Sequence, residues 1–243
     1  MKWKDHRRLI IAVTQMQNVP PAAYRGLLEG VIYPDKINSW RKENGESLES
    51  HHNPSTEKIS NLITQARRFW LKGEENDAGF QLGQALHYIH DGLVSKGLIC
   101  LFHDSNESKI QILDIHENII ESAMKDSKSD PFYVEDLLQR VSSQEPEKAF
   151  ETATYITASL IRAVLTHQTI PIGLEDEYRN AYTQHSKYLK AGIIGGAFLL
   201  LTGVFINSIL LIIFAPILSI IIAKTDRSYY RIEKKWKWFN IID

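Results

Sequence analysis

Residues 191–223 contain no Asp, Glu, Lys, Arg or His. A run of 33 such residues is the strongest constraint on the fold. A segment apolar on all faces needs either lipid or a large protein shell around it. As one helix it would measure about 50 Å at roughly 1.5 Å per residue, longer than a hydrocarbon core of roughly 30 Å. Asn207 and Ser208 divide it into two halves, each short for a full span. Two membrane arrangements are open: a helical hairpin that dips into or crosses the bilayer, and one tilted helix that extends into the interface. A buried core hairpin of a soluble protein is a third reading, but the rest of the chain is too small to wrap one completely. Both flanks are basic, with Lys187 and Lys190 before and Lys224, Arg227, Arg231, Lys234, Lys235 and Lys237 after. Basic flanks favour the cytoplasmic side, and two of them favour the hairpin. Trp236, Trp238, Tyr229 and Tyr230 suit the headgroup region. The basic tail could also attract anionic lipid, at about 1 kcal/mol per residue near the surface. Membrane lipid is therefore an expected partner.

Everything before residue 191 reads as soluble, helical protein. Leu9, Ile10 and Val13 recur at helical spacing over 4–17, and Ile59, Leu62, Ile63 and Ala66 do so over 54–72. Pro21 opens a helix that Gly30 ends, and Asn53-Pro54 supplies a cap and first-turn proline. Residues 33–53 read as a long irregular loop. Further helices are expected from Asp77 through LGQALHYIHDGLVSKG, over 104–125, from Pro131, over 146–167 and over 174–190. No stretch alternates with period two, so the fold class is all-α. The expected divisions are a helical metal-binding domain over 1–190, the membrane segment over 191–223 and a basic, aromatic tail over 224–243.

Bulk properties exclude several functions. The net charge of -1 leaves no global basic field to collect nucleic acid. The lone Cys100 sits in the apolar run GLICLF and reads as a small buried hydrophobe. The N-terminus has an apolar run too short for a signal peptide and no small-residue cleavage site, which places the soluble part on the cytoplasmic side. No P-loop, G-x-G-x-x-G or G-x-S-x-G is present. Gly192, Gly195 and Gly196 lie inside the apolar run and suit helix packing.

Histidines and carboxylates supply the chemistry. His87 and Asp91 are four apart in LGQALHYIHDGLV, so both project from one helical face and can reach one metal ion. His90 is expected to point elsewhere. His103 and Glu107 repeat the spacing in HDSNESKI. His51 and His52 end the irregular stretch, Asp35 follows a proline in VIYPDKI, and His6 lies on the first helix.

In this order the elements resemble the zinc-dependent phospholipase C and S1/P1 nuclease superfamily, over residues 3 to 125. LGQALHYIHD is similar to that family's signature helix, and YPD and SHHNP resemble the elements before it. The resemblance implies a multi-helical zinc phospholipase C/P1 nuclease-like bundle that binds one to three zinc ions. One metal position would use Asp35, His51, His87 and Asp91. A second would use His6, with Asp91 as the bridge, and the family adds the amino group of a processed N-terminal Trp; Trp3 here follows Met1 and Lys2. A third would use His103 and Glu107, with His116 as a competing candidate. The family's further His falls at Gly97 in this chain. Asp35 would orient or deprotonate the attacking water.

The implied activity is metal-assisted hydrolysis of a phosphodiester, acting on phospholipid or a related head group near the anchoring membrane. Nucleic acid or nucleotide is a second substrate class, on which Tyr33, Trp40 and Trp70 could stack. A membrane-tethered helical scaffold with a vestigial metal site is the non-enzymatic alternative. His167 and His185 lie outside the resemblance and read as surface residues.

Overall fold

The computed structural model describes residues 1–44, 55–94, 109–166, 169–206, 208–210, 213, 217 and 226–240. The expected ligands His51, His103 and Glu107, together with His52, Gly97, Cys100 and His167, lie outside these residues. Every named element among the described residues is a helix. In chain order they are α1 (Trp3–Gln17), α2 (Pro21–Gly30), α3 (Tyr33–Glu43), α4 (Thr56–Leu71), α5 (Glu75–Leu93), α6 (Glu117–Asp126), α7 (Pro131–Gln139), α8 (Pro146–Val164), α9 (Leu174–Phe205) and α10 (Arg227–Phe239). An isolated parallel bridge joins Val94 to Gln144. The chain divides into two compact units, Met1–Gln168 and Thr169–Asp243.

In the first unit α5 packs closely against α2, and also contacts α4 and α8. The α2–α5 contact is made by backbone. A Cβ built on Gly26 would lie 2.0 Å from the carbonyl oxygen of Asn76, and one on Gly30 would lie 2.1 Å from that of Phe80. From the other side, a Cβ on Gly79 would lie 2.1 Å from the carbonyl oxygen of Ala23, and one on Gly83 would lie 2.6 Å from that of Leu27. Each helix thus presents two glycines four residues apart, on one face. Gly30 ends α2, as its position suggests, but its lack of a side chain serves this approach.

The core of the unit follows the helical periodicity. Leu9, Ile10 and Val13 of α1 are fully buried, as are Leu82, Leu86 and Ile89 of α5 and Ala149, Ala153, Ile156 and Leu160 of α8. Trp70 is also buried in this core, so it offers no stacking surface. Arg67 of α4, itself buried, donates from Nη1 to the carbonyls of Val164 and Thr166 at 2.8 Å each. Its cation therefore meets the C-terminal carbonyls of α8, which have no partner within the helix. Burial lowers the Arg67 pKa to about 10, which leaves it charged at neutral pH.

Several local expectations change. The first part of the expected loop over 33–53 is the helix α3, because Pro34 in the first turn needs no amide partner and is tolerated there. The cap of α4 is Ser55, whose side chain accepts from the Lys58 amide. α5 opens at Glu75, two residues before Asp77. The expected helix over 104–125 is not continuous among the described residues: 113–116 are non-helical, and α6 begins after His116. Asp130 caps α7 as its sequence position implies, accepting from the Phe132 and Tyr133 amides.

In the second unit, the expected soluble helix over 174–190 and the start of the apolar run form one helix, α9. No helix breaker interrupts the backbone near residue 190, and α9 lies wholly within the second compact unit. α9 is long and apolar enough to cross a membrane, with a mean hydropathy of 1.7 over its most apolar window, of which only 11% is buried. Ile194, Phe198, Leu201 and Phe205 are all exposed, which rules against a core hairpin wrapped by protein. The helix ends at Phe205, where Ile206 caps it and the Ser208 amide donates back to the Gly203 carbonyl.

The N-terminal half of α9 packs on α10. Tyr178 stacks on Trp236 with ring centroids 5.2 Å apart, and His185 stacks on Tyr229 at 4.1 Å. Asp226 caps α10 by accepting from the Tyr229 amide, and its other oxygen meets His185 Nδ1 at 3.2 Å. His185 is thus a buried packing residue and not a surface one, and Tyr229, Trp236 and Trp238 turn inward. Their flat faces gain more from one another than from solvent.

The glycine contact yields a test. Gly79→Ala or Gly30→Ala forces α2 and α5 apart, because backbone cannot yield as a flexible side chain does. We expect a loss of about 1–3 kcal/mol in unfolding free energy, measured by chemical denaturation. Ala at Gly195, where a Cβ meets nothing within 4 Å, should leave stability unchanged.

Candidate metal centre

Three elements bring the site together. α5 carries His87, His90 and Asp91, α1 carries His6, and the first turn of α3 carries Asp35. His6, His87 and His90 are fully buried, and Asp91 nearly so. His6, His87 and Asp91 offer ligand atoms that lie within 4.8 Å of one another, a group able to hold a metal ion.

The two oxygens of Asp91 face different partners. Oδ1 lies 3.4 Å from His6 Nε2, and 2.9 Å from the amino nitrogen of Met1. Oδ2 lies 3.4 Å from His87 Nε2. Asp35 Oδ1 approaches the same His87 nitrogen at 3.6 Å. Asp91 therefore stands between His6 on one side and the His87–Asp35 pair on the other.

The proton positions follow from the neighbours. His87 Nδ1 is 2.9 Å from the Val31 carbonyl oxygen, which can only accept, so Nδ1 carries the proton. Burial, aided by the nearby His6, pushes the His87 pKa down to about 3. The ring is neutral at ordinary pH, and its Nε2 lone pair is bare. That lone pair points toward the oxygens of two carboxylates. Nε2 of His87 and Nε2 of His6 are both buried and make no hydrogen bond. Buried polar atoms of this kind are normally satisfied, and the bare His87 lone pair repels the carboxylate oxygens it faces unless a cation lies among them. The donor set of two imidazoles and a carboxylate therefore fits a divalent ion, and the hydrogen bond to Val31 is the outer support that fixes a ligating ring.

Of the sequence candidates, His6, Asp35, His87 and Asp91 come together. Trp3 is exposed, and the nitrogen of Met1 is the one beside Asp91. His116 is exposed at the start of α6 and is no member of the cluster. His90 was expected to point away, but its Nδ1 lies 3.0 Å from His6 Nδ1 and its Nε2 lies 2.7 Å from Thr157 Oγ1. Helical spacing relates His90 only to its own helix. Its true neighbours, α1 and α8, are distant in sequence.

A cleft of about 450 Å³ opens on the Asp35 helix. Tyr33, Asn38, Trp40 and Arg41 of α3 line it, with Lys58 of α4 and Tyr88 of α5. Lys58 Nζ sits 4.8 Å from the centre of the Tyr88 ring, and Asn38 Oδ1 is buried without a hydrogen bond. Arg41, Lys58 and Tyr88 belong to three different helices, so no single stretch of sequence shows them together.

No family model matches the chain, and no solved structure does so significantly. The chain is 27% identical over 104 residues to the GMP synthase (glutamine-hydrolyzing) of Tropheryma whipplei strain Twist, and equally to that of strain TW08/27. The similarity covers 41% of this chain and 21% of each relative, so the chain spans about a fifth of their length. It does not bear on the phospholipase C and nuclease resemblance.

The depressed His87 pKa has a direct consequence for stability. The unfolded imidazole titrates near the usual value of about 6.5, so below that pH the unfolded chain binds a proton that the folded chain refuses, and stability falls with pH. From His87 alone we expect a loss of roughly 2 kcal/mol between pH 7 and pH 5. Denaturant unfolding in the presence of chelator measures it, and His87→Gln should flatten the dependence.

Proposed function

We propose that this chain is a zinc-dependent phosphodiester hydrolase held at a membrane. The observation that carries the reading is the pair of buried, unsatisfied Nε2 atoms of His6 and His87 on opposite oxygens of Asp91. Two ligand sets sharing one carboxylate suit two ions. Imidazole and carboxylate are ordinary zinc ligands. Bound zinc supplies Lewis acidity, which lowers the pKa of water and neutralises charge on phosphoryl oxygens.

The chain's own residues do the rest. His87, held by Val31, and His6 present lone pairs in a fixed direction. Asp91 binds from both oxygens. Asp35 is partly exposed on the turn that borders the cleft. Under this reading it would orient the attacking water and take its proton. Arg41 and Lys58 give the cleft positive charge for a phosphate. Trp40, half exposed at the cleft, favours a second substrate class within the same chemistry, a nucleotide whose base stacks on the indole.

Full-length protein purified in detergent should contain two zinc ions per chain by elemental analysis, and His87→Ala with Asp91→Ala should remove them. Asp35→Asn should lower turnover of a phosphodiester by about 10²–10⁴-fold, the usual worth of a general base. A folded protein that takes up no zinc when zinc is supplied would leave only the tethered scaffold. Phospholipid and dinucleotide substrates assayed side by side separate the two substrate classes.

The membrane attachment is proposed as a hairpin, with the first unit on the cytoplasmic side. The support is the packing of α9 on α10. If residues 191–223 crossed once, Tyr178 and His185 would be roughly 30 Å from Tyr229 and Trp236, across the hydrocarbon. Ring contacts of 5.2 and 4.1 Å favour both flanks on one face. Single cysteines at Tyr188 and Tyr230, in a Cys100→Ser background, should react with an impermeant maleimide from the same side of sealed vesicles. Labelling from opposite sides would establish a single crossing.

A further inference from the structure

His90 has no part in the ligand set, yet it is fully buried beside it. Its ring lies nearly parallel to that of His6, 13° from coplanar with centroids 5.2 Å apart, and their Nδ1 atoms are 3.0 Å apart. One of these two nitrogens must carry a proton and the other must accept it. On the far side, His90 Nε2 meets the hydroxyl of Thr157 on α8 at 2.7 Å. The result is a line that runs from Asp91, 3.4 Å from His6 Nε2, through the hydrogen-bonded pair of His6 and His90 to Thr157.

We propose that His90 is a positioning residue for the metal centre, accepting the Nδ1 proton of His6 so that His6 Nε2 is left bare for the ion. This rests on the metal-binding reading above. His6 Nε2 faces Asp91 and must be unprotonated to bind a cation. A neutral His6 then carries its proton on Nδ1 and donates it to His90 Nδ1. His90 in turn carries its proton on Nε2 and donates it to Thr157 Oγ1. Every nitrogen in the line then has one role.

The same atoms support the reverse order when no cation is bound. His6 then carries its proton on Nε2, toward the Asp91 carboxylate. His90 donates from Nδ1 to His6, and Thr157 donates to His90 Nε2. A hydroxyl can do either, since it has one proton and two lone pairs. A backbone carbonyl at that place, such as Val31 provides for His87, would allow only one direction. Cation uptake at His6 therefore reverses the tautomer of His90, a residue that never touches the ion. The pair keeps the same number of protons: His6 releases its Nε2 proton as the cation binds and takes the Nδ1 proton of His90 across their hydrogen bond, while His90 takes one proton at Nε2 by way of the Thr157 hydroxyl, so one proton leaves at His6 and one enters through Thr157.

The test uses the full-length protein in detergent, with zinc as the probe and a chromophoric chelator as competitor. His90→Phe keeps the ring shape but cannot accept, and it should weaken zinc binding by about 10–100-fold, as loss of an outer partner does. His90→Asn, whose amide oxygen can take the place of Nδ1, should restore affinity close to wild type. A merely structural role for the ring would give the opposite ranking. Independently of any variant, ¹⁵N-histidine spectra should show His90 protonated on Nδ1 without zinc and on Nε2 with it. Equal affinity for wild type and His90→Phe, or a His90 that stays protonated on Nδ1 in the zinc-loaded protein, overturns the proposal while leaving the metal centre intact. A wild type that binds no zinc overturns both.

Discussion

The backbone contact between α2 and α5 is the constraint on which the site depends. Gly26 and Gly30 on one helix and Gly79 and Gly83 on the other let main chain meet main chain, with Cβ positions that would fall 2.0–2.6 Å from carbonyl oxygens. That closeness has a chemical consequence. It brings the carbonyl of Val31, just past the end of α2, within 2.9 Å of His87 near the end of α5. It also starts α3 close enough for Asp35 to face the same ring. A side chain at any of these glycines would widen the gap and uncouple the imidazole from the carbonyl that sets its tautomer.

Burial then turns geometry into reactivity. In water an imidazole near two carboxylates would take a proton. Here desolvation outweighs their attraction, and His87 stays neutral down to about pH 3. The bare His87 lone pair and the carboxylate oxygens at 3.4 and 3.6 Å repel one another, and a cation placed among them would relieve that repulsion. The folded chain therefore holds a His6–His87–Asp91 group able to bind a metal ion, beside Asp35, on three helices that the core fixes.

The second unit solves a different problem. A helix with its apolar residues exposed is stable only if something other than water meets them. The N-terminal half of α9 meets α10 through stacked rings and the His185–Asp226 pair. Polar and aromatic contact there and bare apolar surface beyond it are both consistent with one end in water and the other in lipid.

The all-helical class, the apolar segment and the His87–Asp91 pair were legible in the sequence, because each depends on local periodicity or composition. Apolar residues 3.6 apart make a helical face wherever they occur, and residues four apart share that face. What sequence spacing could not show was which helices meet. His90 shares a helix with His87, yet its role comes from His6 and Thr157, which lie 84 and 67 residues away along the chain. The cleft cations, the helix at Tyr33–Glu43 and the inward turn of Trp236 were hidden for the same reason. The sequence by itself determined which residues can sit on one helical face and which segment is apolar enough to cross a membrane. Only the tertiary structure decided which lone pairs face which carboxylates, because that depends on helices packed at glycine distance and on the loss of solvent that follows.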